Sequence, residues 1–230
     1  MRLLMAVLIG LSLAWTSAAA GERDPEDLPD PAKVVEETAN DIIRILRENR
    51  DELAEDPEHL YELVEEKMLP VFDIPYSTRL VMGRHGRDAS PEQRQAFGEA
   101  LYRFLVRNYA EGLLEYSDED IEVRPVRGTP DPDRQRIRTT IVRPGASDVP
   151  VDYTMRYTDD GWKVFDVTIE GVSYVTNYRN SFDREIREQG LDAVIERLER
   201  RADRKAEELE ESLEEREEEN GEENGDDEGN

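Results

Sequence analysis

Apolar residues recur along this chain at two different periods, and the change of period divides it. Asp30 precedes Pro31, an N-cap followed by proline at the first helical position, and Val35, Ala39, Ile42 and Leu46 follow at steps of four, three and four. Asp56-Pro57 repeats that opening, with Leu60, Leu63, Val64 and Met68 as its stripe. Pro70 and Pro75 break "LPVFDIPYSTRLVMG" into short pieces, and Gly83 and Gly86 bracket a loop, "GRHGRD". Ser90-Pro91-Glu92-Gln93 is a capping box, and the helix it opens carries Phe97, Leu101, Phe104, Leu105, Tyr109 and Leu113.

After Tyr116 the period falls to two. "IEVRPV", "RIRTTIV", "VPVDYTMRY" and "WKVFDVTIE" are rich in β-branched and aromatic residues and predict four strands. Turns such as "TDDG" join them, so the strands form an antiparallel meander. Val149, Val151, Tyr153, Met155 and Tyr157 alternate with polar residues, which assigns one buried and one wetter face. Helical spacing returns from Ser173 to about Gln189 and again from Leu191, through Ile195, Leu198 and Ala202. Helices, then a meander, then helices predict an α+β fold: a curved antiparallel four-stranded sheet covered on one face by several helices that enclose an apolar pocket.

The ends read differently from the middle. Arg2, the apolar run Leu3 to Trp15 and Ala18-Ala19-Ala20 make residues 1–20 a signal peptide, too short to span a bilayer comfortably. Residues 21–30 are a polar arm, and residues 31–205 form the folded domain. The formal charge is −26, and residues 206–230 carry 14 Asp/Glu against one Arg. That acidic tail is expected to be disordered. Only four of the 30 basic residues are lysine, a composition that keeps a protein hydrated in brine. A chain this acidic repels phosphate backbones, which excludes sequence-independent nucleic-acid binding. Cysteine is absent, so an exported protein of this sequence gains no disulfides.

Catalytic chemistry finds little to work with. Two histidines, His59 and His85, without HExxH or CxxC, fall short of a zinc site. Gly171-Val172-Ser173-Tyr174-Val175 lacks the second glycine of a nucleophile elbow, and Ser173 reads as a helix cap. Among 56 carboxylates, pairs suited to acid–base work arise by chance. What stands out is "VFDVTIEGVSYVTNYRNSF", Val164 to Phe182, a greasy junction from strand to helix. Periodicity gives the same pattern for a packed core and for a cavity, and a packed core is the commoner of the two.

Three stretches carry a family resemblance: "VFDIPYSTRLVMGRHGR", "SPEQRQAFGEALYRFLVRNYAEGL" and "DDGWKVFDVTIEGVSYVTNYRNSFDREIREQGLDAVIERL". With them the chain resembles the MlaC (toluene-tolerance) family of periplasmic phospholipid-binding proteins. Gly86 stands where that family usually has an aromatic, and the acidic tail exceeds its usual ending. The resemblance implies a periplasmic carrier that holds diacyl phospholipid without chemistry and without a cofactor. Its implied partners are an inner-membrane lipid transporter complex and an outer-membrane lipoprotein–porin complex of an ABC-linked system. The candidate pocket wall is Ile74, Leu80, Phe97, Leu101, Phe104, Leu105, Tyr109, Val151, Tyr153, Met155, Val164, Val167, Val175, Tyr178 and Phe182. Two other classes stay open: a small-molecule enzyme on a cone-shaped α+β scaffold, and a periplasmic interaction or chaperone module.

Overall fold

A computed structural model describes residues 28–114 and 120–225. The signal peptide and residues 21–27 of the arm lie outside the described residues, as do 226–230. Helix α1 (Pro31–Glu48) starts where Asp30 accepts from the amide of Ala32. Asn49 ends it, and the short α2 (Arg50–Glu55) leads to α3 (Pro57–Met68), capped by Asp56 on the amide of His59. The prolines act as expected. Pro70 sits in a 3-10 turn, Leu69–Val71, and Pro75 occupies the first turn of α4 (Ile74–Met82), capped by Asp73. The "GRHGRD" loop contains one helical turn, α5 (His85–Asp88), which spacing alone does not reveal in four residues.

Helix α6 (Pro91–Leu114) opens on a reciprocal capping box. The amide of Gln93 donates to Ser90 Oγ, and the amide of Ser90 donates to Gln93 Oε1, both at 3.1 Å. Two orphan donors are thereby satisfied.

The sheet has five strands rather than the expected four, all antiparallel in the order β1-β2-β3-β4-β5. They are β1 (Asp120–Val123), β2 (Gln135–Val142), β3 (Val149–Thr158), β4 (Gly161–Ile169) and β5 (Val172–Ser173). Strand β1 stops before Pro125, which has no amide to give a ladder. The added strand is only two residues long, below the reach of any alternation signal. It pairs back on β4 through Glu170 and Gly171, both at positive φ (49° and 84°), as a tight hairpin requires. Register between β3 and β4 shifts at Thr154/Met155, where Thr154 faces Asp166 and Met155 faces Val164. Phe165 is the extra residue of that bulge. Its ring meets Tyr76 edge-on at 5.0 Å, and its carbonyl accepts from Ser77 Oγ.

Helix α7 (Tyr174–Gln189) follows β5 without a linker. Ser173 caps it, as the sequence predicts, by accepting from the amide of Thr176 at 3.1 Å. Asp166 fastens the same junction from within the sheet. Its Oδ1 accepts from the amide of Val175 at 3.1 Å and its Oδ2 from Ser173 Oγ at 2.7 Å. Helix α8 (Leu191–Gly225) packs on α6 and α7 through Val194, Ile195, Leu198 and Ala202.

Beyond Lys205, where the sequence predicts a disordered tail, α8 continues as helix to Gly225, and residues 226–230 lie outside the described residues. Glu, Leu and Arg are all good helix formers, so that segment keeps helical propensity even though its acidic charge argues against packing.

Asp166 is the polar group on which the junction turns. Removing it leaves the buried Val175 amide without a partner, a loss of about 1–3 kcal/mol. Asp166→Ala should therefore lower the unfolding free energy read from urea titration by that amount and move the midpoint down, with Asp166→Asn recovering part of it. An unchanged midpoint in Asp166→Ala would mean that the helix start holds without the sheet.

Candidate functional site

Most of the buried apolar side chains among the described residues fall into three clusters. One joins α4, α6, α7 and α8 through Val81, Met82, Phe97, Leu101, Val175, Phe182, Ile186 and Leu198. A second joins α1, α2, α3 and α6 through Leu46, Leu53, Leu60, Tyr61, Val64, Val106 and Ala110. The third lies on the sheet, where Ile137, Met155, Trp162 and Val164 pack against Ala32 and Val35 of α1. Trp162 Nε1 donates to the Pro29 carbonyl at 2.7 Å and ties the chain before α1 to β4.

A domain of this size usually has one contiguous core. Here the sheet cluster and the helical clusters stay separate. The helices that lie against the strands are chiefly α1, α4 and α7, whereas α6 packs on α2, α3, α4 and α8. Half-buried apolar side chains pack against the margin of each cluster. Tyr153 and Val167 belong to the sheet side, and Leu80, Phe104, Leu105 and Tyr178 to the helical side. Burial pushes the Tyr153 hydroxyl up to about 12. An uncharged phenol in apolar surroundings has that property.

A chain of aromatic rings runs along the seam between α6 and α7. Phe97 meets Phe182 edge-on at 5.3 Å, Phe182 stacks on Tyr178 at 5.7 Å, and Tyr178 meets Tyr174 at 6.1 Å. Tyr174 then meets Tyr109 at 6.0 Å. The hydroxyls of Tyr109 and Tyr178 are 3.1 Å apart and close the outer end. Burial, and then the contact with Tyr109, push the Tyr178 hydroxyl far above its ordinary value. Tyr109 is 49% exposed and Val172 55%, so apolar surface meets water at this end of the seam.

The sequence-derived wall is thus divided. Phe97, Leu101, Val175 and Phe182 are buried in the helical cluster, with Leu80, Phe104, Leu105 and Tyr178 half-buried beside them. Met155 and Val164 are buried in the sheet cluster, with Tyr153 and Val167 at its margin. Val151 is buried on β3, and Ile74 is half-buried at the start of α4. Phe97, Met155 and Val164 are 2% exposed or less, so they present no free surface in this conformation.

Sequence reasoning passed over a second apolar place. A crevice of about 10 Å³, room for a single water, is lined by Ile42, Ile45, Leu46, Leu63, Val64, Met68, Leu113 and the stem of Lys67. Its residues lie on the stripes of α1, α3 and α6, which as sequence read only as helix packing. Among the described residues, no group of three or more His, Cys, Asp or Glu is placed to hold a metal ion, and no helix is long and apolar enough to cross a membrane.

Comparison with known proteins decides what this architecture belongs to. The family model for the MlaC protein matches residues 36–200. The chain belongs to the MlaC family. It is 28% identical over 163 residues to the toluene tolerance protein Ttg2D of Pseudomonas putida, covering 70% of this chain and 75% of that protein. It is 23% identical over 173 residues to the intermembrane phospholipid transport system binding protein MlaC of Haemophilus influenzae, covering 74% and 81%. A phospholipid-binding protein of Ralstonia solanacearum, solved in complex with a phospholipid, superposes with a TM-score of 0.71 at 26% identity. That alignment covers 77% of this chain and 99% of the other. The α+β architecture expected from the sequence is therefore that of the MlaC family, with one more strand.

The Tyr153 hydroxyl makes a prediction of its own. Its pKa is raised from about 10 in the unfolded chain to about 12 in the folded one. The associated stability is fully present below pH 10 and is lost as the pH rises towards 12. Tyr153→Phe should accordingly move alkaline unfolding to higher pH, read by circular dichroism. A midpoint that stays put would place that hydroxyl in water.

Proposed function

We propose that this protein is a periplasmic phospholipid carrier that works by shielding acyl chains rather than by chemistry. The observation that carries the reading is the separation of the sheet cluster from the helical clusters, with apolar side chains left half-buried at the margin of each, Tyr153 and Val167 on one and Phe104, Leu105 and Tyr178 on the other. Membership of the MlaC family and likeness to a protein solved with phospholipid bound support it.

The physical need sets the scale. Exposing one CH₂ to water costs about 0.8 kcal/mol, so two chains of about sixteen carbons carry a gross penalty above ~20 kcal/mol. Apolar burial is non-directional, so a wall of Leu, Val, Phe and Tyr tolerates chains of different length. Acyl chains lie between sheet and helices in this reading, with the headgroup towards the surface. The cargo passes between an inner-membrane transporter complex and an outer-membrane lipoprotein–porin complex. Residues beyond Lys205 take no part in holding lipid.

Gently purified protein, extracted into organic solvent and analysed by mass spectrometry, should yield mixed diacyl phospholipids at about one per chain. A small metabolite instead would favour an enzyme, and an empty protein would favour an interaction module. Leu105→Glu, which sets a carboxylate on the half-buried margin of the helical cluster, should abolish retention while the protein stays folded. Truncation after Lys205 should leave both lipid content and thermal midpoint nearly unchanged. Wild-type occupancy in folded Leu105→Glu would remove α6 from the wall.

A further inference from the structure

An open cleft of about 360 Å³ lies at the corner where α4 ends, lined by Met82, Gly83, Arg84, Arg179, Asn180 and Asp183. Gly83 turns the chain there with φ 54° and ψ −122°, a conformation left to glycine. The turn places Arg84 against α7. Arg84 donates to Asp183 Oδ1 from Nε at 2.9 Å and from Nη2 at 2.6 Å, and Nη2 also reaches Oδ2 at 2.9 Å. His85 Nε2 lies 3.0 Å from the same Oδ1, and Arg187 Nη2 lies 3.0 Å from Oδ2. Three side chains thus converge on one carboxylate and saturate it.

Arg179 lines the same cleft and has no carboxylate. Its Nε donates to the Leu80 carbonyl at 2.6 Å, which fixes the plane of the guanidinium. Its terminal nitrogens form no ion pair among the described residues, and neither does the neighbouring Asn180 amide find a hydrogen bond there. A guanidinium fixed at one nitrogen and free at two is a fork prepared for an oxyanion. Carboxylates are abundant in a protein of net charge −26, yet among the described residues none pairs with Arg179, and the one in the cleft, Asp183, is taken up by Arg84, His85 and Arg187.

We propose that this cleft binds a phosphate group, with the terminal nitrogens of Arg179 and the amide of Asn180 as donors. The cleft is open and leaves room for an anion that carries substituents. A phosphodiester in a lipid headgroup and free phosphate share this chemistry. The headgroup source rests on the carrier reading above, and Leu80 and Tyr178, which flank Arg179, belong to the helical apolar cluster. Free phosphate needs no such reading.

The test follows the Arg179 Nε–H and Asn180 side-chain signals by NMR at constant ionic strength. Delipidated and lipid-loaded protein are each titrated with sodium phosphate and with glycerophosphoethanolamine. Delipidated protein should give saturable shifts at both residues. Affinity should fall at least tenfold in Arg179→Gln. The same fall is expected in Asn180→Asp, which sets a repelling charge at an exposed position without disturbing the fold. Lipid-loaded protein that no longer responds identifies the headgroup as the occupant, and an undiminished response identifies free phosphate. Absence of saturable shifts, or unchanged affinity in both variants, overturns the proposal. Mass spectrometry of the same samples reads the carrier function separately, because the cleft can bind phosphate in a protein that carries no lipid.

Discussion

Asp166 near the end of β4 accepts the amide of Val175 and the hydroxyl of Ser173, and through these two bonds it sets where α7 leaves the sheet. The rest of the helical layer is arranged from that point. Asp73 donates its amide to the Val164 carbonyl at 2.8 Å, Phe72 bridges Val164, and Ser77 bonds the Phe165 carbonyl, so α4 hangs from the same strand. With α4 and α7 held at β4, α6 and α8 pack on them and α6 stands off the strands. A buried carboxylate costs stability unless its hydrogen bonds are made. Here the bonds it makes orient a whole layer.

The outcome is a domain whose apolar residues gather in three places rather than one. A sheet cluster closed by α1 and two helical clusters each reach native packing, with Phe97, Leu60, Met155 and Leu198 at zero exposure. At the margins of the clusters the side chains are apolar but only half-buried. Such surface is unfavourable to leave wet and suits a lipid tail, whose own transfer from water is favourable. The aromatic chain from Phe97 to Tyr109 joins α6 to α7 by rings, each pair worth about 0.5–1.5 kcal/mol.

Local chemistry was legible in the sequence, and long-range pairing was not. Asp30, Asp56, Ser90 and Ser173 cap helices as their neighbours foretell, because a cap involves residues two or three apart. Strands β2, β3 and β4 announce themselves by alternation. Strand β5 and helix α5 are too short to carry a period. In the segment beyond Lys205 charge argues for disorder while propensity argues for helix, and composition cannot arbitrate. At the site, the residues named from the sequence divide between a helical and a sheet cluster, and which of them keep free surface depends on volume. Arg84 and Asp183 are 99 residues apart, so their cleft leaves no trace in any window of sequence.

The central claim is that acyl chains occupy the space between the sheet and α6–α7. A crystal structure with a phospholipid brominated along both tails tests it most directly, since bromine positions are read from anomalous scattering. The account predicts bromine sites bordered by Tyr153 and Val167 on one side and by Leu105 and Tyr178 on the other. Bromine found instead in the crevice of Ile42, Leu63 and Met68, or only on the outer surface, would contradict it.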